Sequence, residues 1–230
     1  MIVIASSWAH GKQSRRQFLQ RIFGVALAAT VADCPQAGAA DDEPSEIFRV
    51  KGHARKRFLA RSWREGQTLA AVRTGPTDVP KLVQFIDPLC PLFQRQWWAL
   101  RAYREQLRIH WIPVAFVHPQ SLPTAANILA NAYPADALEE AAQRAGTRPP
   151  SGASIVPSSK AAVRQVQSNT QFWLERFGVL PLLLYPHPRG PHAAMGPTSP
   201  GALAEIFRAA WASQGKPVSP SPMPDYHPGS

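Results

Sequence analysis

The 230-residue chain is poor in cysteine: it has two, Cys34 and Cys90, so a fold stapled by several disulfides is excluded. Negative charge is also scarce, with 15 Asp and Glu against 25 Lys and Arg and a formal net charge of +10. No apolar run reaches the roughly 20 residues needed to span a bilayer as an anchor. Internal repeats are absent. His110, His187 and His192 lack metal-ligand spacing, with only Cys90 as a soft partner, so no metal and no cofactor is expected. What is present is 45% apolar residues, enough for the core of one domain of ordinary size.

The first forty residues differ from the rest. Arg15-Arg16-Gln17-Phe18-Leu19 precedes an uncharged stretch from Ile22 to Ala32, followed by small residues Ala37-Gly38-Ala39-Ala40 and then Asp41-Asp42-Glu43. Basic region, apolar region and small-residue cleavage site follow the order of a cleavable leader, and the arginine pair is similar to a twin-arginine export signal. Residues 1–40 are therefore expected to be a signal peptide and the mature protein to be periplasmic. Cys34 would leave with it, because Asp33 and the missing small residue argue against acylation there. The mature chain then keeps one thiol, no stable membrane span, and 21 basic against 14 acidic residues. Those basic residues show no aromatic interleaving, so a solvated surface is expected and no nucleic acid.

Beyond residue 40, hydrophobic periodicity sets the organisation. Residues 41–75 read as a polar, basic lead-in with a short amphipathic helix at Lys56–Trp63, residues 76–214 as an α/β domain, and 215–230 as a Pro-rich tail. Lys81–Asp87 is a short apolar run between Pro80 and Pro88, long enough for a buried strand. Pro91 suits a first helical turn, and Phe93, Trp97, Leu100 and Leu107 recur at helical spacing, so a helix is expected over 91–107 with Cys90 at its start. Ile109–Val117 reads as a second strand, with Pro113 marking a bulge or an edge position. Two Ala-rich helices at 122–132 and 134–145 form a helical insertion. A helix over 159–177 ends at Gly178, a strand runs over 179–185, and a helix over 199–213 closes the domain.

This order, with Lys81-Leu82-Val83-Gln84-Phe85-Ile86-Asp87-Pro88-Leu89-Cys90-Pro91 and Ile109-His110-Trp111-Ile112-Pro113-Val114-Ala115-Phe116, resembles the DsbC/DsbG family of periplasmic thiol:disulfide interchange proteins. The stretch from Trp111 to Ala145 leans toward the DsbG branch. The resemblance covers about Lys81 to Phe207 and implies a thioredoxin-like fold, Cys90 as nucleophile, and a cis-proline at Pro181. It also implies client proteins bearing thiols or disulfides, and a V-shaped homodimer built on an N-terminal dimerisation domain. About forty residues separate the leader from Lys81, too few for that domain, and the oligomeric state stays open. The second cysteine of the family's motif would stand at position 93, where this chain has Phe93, and Leu180 stands where Thr or Val commonly precedes the cis-proline.

A thiol at a helix N-terminus meets the positive end of the helix dipole and unpaired backbone N–H groups, which favour the thiolate that attacks disulfides. With Phe93 in place of a resolving cysteine, release needs a substrate thiol or a small-molecule thiol reductant. The alternative is a Cys90 buried under Phe93 and Trp97 that merely fills space. Leu180 and Pro181 are expected to present backbone to an extended client segment, beside Pro91. An exposed Trp98 would add to the client patch. Asp87 is expected either as a carboxylate near the thiol or, more simply, as a strand-end turn residue. A non-catalytic peptide-binding, chaperone or envelope-assembly protein on the same scaffold is the contrasting reading.

Overall fold

The computed structural model describes residues 47–48, 53–145, 156–157 and 159–215; the expected leader and almost all of the Pro-rich tail lie outside them. The elements in chain order are β1 (Ile47–Phe48), α1 (His53–Gly66), β2 (Val72–Thr74), β3 (Lys81–Ile86), α2 (Pro91–Arg101) and β4 (Arg108–Pro113). They continue with α3 (Ser121–Ala130), α4 (Pro134–Arg144), α5 (Lys160–Arg176), β5 (Leu182–Tyr185), β6 (His192–Met195) and α6 (Pro200–Ala212).

The strands form one sheet in the order β1-β6-β5-β3-β4-β2. β3 and β4 run parallel, joined by α2, and the other pairings are antiparallel. Alternation along the strands divides the core in two. Leu82, Ile86, Ile109, Trp111 and Leu183 pack with Phe93, Trp97 and Leu100 of α2, Leu138 of α4 and Leu203, Ile206 and Phe207 of α6. On the opposite face, Val83, Phe85, Ile112, Leu182 and Leu184 meet Leu59 of α1 and Phe172 and Trp173 of α5. A smaller cluster of Ala125, Ala126, Ala162 and Val166 joins α3 to α5, where small side chains let the two helices approach closely. The apolar residues of β3 thus face helices on both sides, which is why its sequence reads as a continuous run.

Several boundaries move. α2 stops at Arg101 rather than Leu107, and Leu107 packs in the core just ahead of β4. β4 ends at Pro113, not Val117. Pro113 pairs with Ile86 on one side. On the other side its carbonyl accepts from Asn169 Nδ2 at 3.1 Å, beyond the end of β2, so no neighbouring strand needs the N–H that proline lacks. The 41–75 stretch contributes more than a lead-in, because β2 is an edge strand of the sheet, its Thr74 Oγ1 accepting from Trp111 Nε1 at 2.9 Å. Gly75 follows at φ +84, where a Cβ would stand 2.1 Å from the Leu107 carbonyl oxygen, so only glycine fits that turn. β6 is a further strand, with no counterpart in the sequence-based expectation.

α5 shows how the helices are delimited. The Ser159 hydroxyl accepts from the Ala162 N–H, and after the helix Gly178 takes φ +65 with its N–H on the Trp173 carbonyl. Ser159→Ala is expected to lower stability by about 1 kcal/mol, read from urea denaturation midpoints. An unchanged midpoint would show that the cap contributes nothing.

Candidate functional site

Cys90 is the N-cap residue of α2, with extended backbone (φ −76, ψ 124), and Pro91 fills the first helical position. The Phe93 N–H reaches back to the Cys90 carbonyl at 2.9 Å. Cys90 is 8% exposed and its side chain joins the cluster that contains Phe93 and Trp97. Phe93 is fully buried, edge-on to Trp97 and Trp111 at centroid distances of 6.3 and 6.2 Å. Among the described residues Cys90 forms no disulfide.

The junction between β3 and α2 is organised by Asp87, whose carboxylate is completely buried. Its Oδ1 accepts from the Leu89 N–H at 2.9 Å and from the Ser121 hydroxyl at 2.8 Å, and its Oδ2 from the Phe116 and Val117 N–H groups at 2.7 and 2.8 Å. Its carbonyl takes the Cys90 N–H at 3.0 Å. Asp87 is thus the strand-end turn residue, and more: it ties the Cys90 turn to the segment after β4 and to the start of α3. Both of its oxygens are fully engaged by donors.

The Leu180–Pro181 peptide is cis. Antiparallel pairing of Phe85 with Leu182 puts Leu180 and Pro181 at the end of the sheet where β3 leads into Cys90 and Pro91. These four residues are therefore brought to one end. Trp98 is not: eight residues along α2 it lies about 12 Å down the helix axis from Cys90, half-exposed, with the Arg101 guanidinium 4.9 Å over its ring. Its neighbour Trp97 is the core member of the pair.

Sequence reading missed the exposed apolar residues at the Cys90 end. Phe116, Val117 and Val179 are 57%, 48% and 40% exposed. Phe116 stands edge-on to Trp173 at 5.2 Å, and Trp173 Nε1 donates to the Val179 carbonyl at 2.8 Å, so one indole links the two parts of this rim. The signal was the stretch 109–117, apolar apart from His110, which reads as strand. Asp87, capturing the Phe116 and Val117 amides from thirty residues away, turns its end into a loop.

A second polar chain lies under α2. Gln84 Nε2 donates to the Leu182 carbonyl at 3.2 Å, Gln96 Nε2 donates to Gln84 Oε1 at 3.4 Å, and the Thr198 N–H donates to Gln96 Oε1 at 3.3 Å. Both glutamines are buried, so this chain couples α2 to the strand that follows Pro181 and to the approach to α6. Among the described residues no three His, Cys, Asp or Glu side chains cluster closely enough to hold a metal ion, and no helix is long and apolar enough to cross a membrane.

No protein-family model and no curated protein matches the chain. Solved structures do match. The thiol-disulfide exchange protein alpha-DsbA2 from Wolbachia pipientis is similar over 68% of this chain and 98% of its own, at 13% identity and a TM-score of 0.53. The catalytic domain of Proteus mirabilis ScsC is similar over 68% and 98%, at 17% identity and a TM-score of 0.51. The fold is thioredoxin-like. In a thioredoxin-like domain of this order α3 and α4 are the helical insertion, set between β4 and α5. At such identities the likeness concerns the path of the backbone, and the chemistry rests on the residues of the site.

Proposed function

We propose that the protein is a periplasmic thiol:disulfide interchange protein, of DsbG type, that acts through the single nucleophilic thiol of Cys90. The observation that carries this reading is the position of Cys90 at the start of α2, at the sheet end that also holds Leu180, Pro181 and the apolar rim of Phe116, Val117 and Val179. An extended client segment would lie against Leu180 and Pro181, with Pro91 bordering the thiol and Trp98 offering an outer contact for longer clients. The leader at 1–40 would direct export and leave with Cys34, and residues 76–214 would form the thioredoxin-like domain behind the lead-in at 41–75.

The chemistry follows from one thiol. The Cys90 thiolate attacks one sulfur of a client disulfide, forming a mixed disulfide and releasing the other client sulfur as thiolate. A second client thiolate then attacks the client sulfur of the mixed disulfide and frees Cys90. The client has exchanged one pairing for another with no net gain or loss of electrons. Phe93 removes the internal dithiol cycle, so net oxidation or reduction would require an external thiol or disulfide. Client proteins bearing thiols or disulfides are the expected partners, with a small-molecule thiol reductant able to clear stalled mixed disulfides.

The test combines the pH dependence of Cys90 alkylation with reactivation of a scrambled disulfide substrate by the wild type and by Cys90→Ser. The expected result is an alkylation midpoint well below the ordinary thiol value of about 8.5, with reactivation abolished in Cys90→Ser. A midpoint near or above that value, together with equal reactivation by both proteins, would overturn the reading. Burial of Cys90 at 8% exposure favours a second reading, a non-catalytic peptide-binding or envelope-assembly protein. Under it, Cys90→Ser retains suppression of client aggregation in full and the wild type shows no reactivation.

A further inference from the structure

At the opposite end of β3, where the strand begins, three cations gather and no carboxylate among the described residues pairs with them. The register sets Lys81 beside Arg108, and Val83 and Arg73 on either side of His110. Paired residues point to the same side of a sheet and alternate residues share it, so Lys81, Arg73, Arg108 and His110 all project from one face, the face of Val83 and Ile112. Among the described residues none of the three cations forms an ion pair, and the Lys81 ammonium donates to the neutral Gln67 Oε1 at 3.0 Å. Burial first, then the like charges of Arg108 and Arg73, hold the Lys81 ammonium below its ordinary pKa.

His110 stands between Arg73 and Val83 in this group. It is 4% exposed, and neither ring nitrogen has a hydrogen-bond partner. A buried polar ring left unpaired is costly, and so are like charges placed side by side on a sheet. Both costs fall if an anion with several acceptor oxygens enters, since it neutralises the cations and accepts from the imidazole N–H. Arg73 also lines a cleft of about 470 Å³ between residues 68–71 and the α5 residues Gln165, Ser168 and Asn169, which leaves room for whatever the anionic group is attached to.

We propose that Arg73, Lys81, Arg108 and His110 form a binding site for a phosphate group. The site is at least about 16 Å from the Cys90 turn along β3 and does not depend on thiol chemistry. A free phosphate ion and a phospholipid headgroup share the chemistry that these residues recognise, and they differ in what they bring to the cleft.

The test uses the full chain at constant ionic strength and neutral pH. Inorganic phosphate is titrated while the His110 ring nitrogen signals are followed by NMR. In parallel, the protein is sedimented with phosphatidylcholine vesicles, with and without phosphatidylglycerol. Saturable movement of the His110 signals identifies free phosphate as a ligand. Retention on phosphatidylglycerol vesicles alone identifies the headgroup. In either case the Arg73→Gln/Lys81→Gln double variant, altered at side chains that are not fully buried, is expected to weaken the effect about tenfold or more. The proposal is overturned if neither probe acts, or if the double variant responds as the wild type does.

Discussion

Asp87→Ala is expected to lower the unfolding free energy by about 3–5 kcal/mol, a large fraction of the stability of an ordinary domain. The carboxylate has no exposure and accepts four hydrogen bonds, three from backbone N–H groups and one from the Ser121 hydroxyl. Alanine leaves those four donors facing a small void where water does not replace the lost acceptors, and an unsatisfied buried donor costs about 1–3 kcal/mol. Asp87→Asn keeps the shape but offers acceptor lone pairs on one side only, so an intermediate loss is expected. Urea or guanidinium denaturation measures both. Amide exchange adds a local signature, because the Phe116 and Val117 N–H groups should lose protection in the alanine variant ahead of global unfolding. A loss below about 1 kcal/mol, with those amides unchanged, would show that the buried carboxylate is not the organiser of this turn.

His110 is expected to make the fold sensitive to acid. Burial first, and then the nearby Lys81, Arg73 and Arg108, push its pKa from 6.5 down to about 4. A depressed histidine pKa means that the folded state holds the neutral ring while the unfolded chain takes up a proton. Its contribution is therefore fully present above pH 6.5 and is lost as the pH falls toward about 4. The loss from this one residue is at most about 3 kcal/mol. His110→Leu, which fills the same space without ring nitrogens, should flatten the stability profile across that window and raise stability at its acid end. Denaturation midpoints of both proteins at several pH values read the difference. Parallel profiles for variant and wild type would refute the assignment. Phosphate buffer is to be avoided in this series, since a phosphate ion held by the same cations would favour the protonated ring.

Much of the domain could be read from local patterns. The apolar run of β3, the Pro91 helix start, the 3.6-residue recurrence of Phe93, Trp97 and Leu100, and the Ser159 and Gly178 ends of α5 are interactions within a few residues of one another. Local chemistry writes them directly into the order of side chains. The position of Cys90 between strand and helix belongs to this class, and so does the pairing of one buried and one surface tryptophan at 97 and 98.

The rest depends on partners that are distant in the chain. β2 and β6 have three and four residues, too few to establish a period, and exist because Trp111 and Leu183 lie in register beside them. The turn after β4 is set by Asp87 from thirty residues upstream, and the phosphate site by three strands that bring Arg73, Lys81 and Arg108 to one face. A sequence alone determined that Cys90 begins a helix and that no second cysteine follows at position 93. Tertiary structure alone decided how deeply that thiol sits and which apolar rim surrounds it, because burial and hydrogen-bond partnership are properties of the packed chain and not of its order.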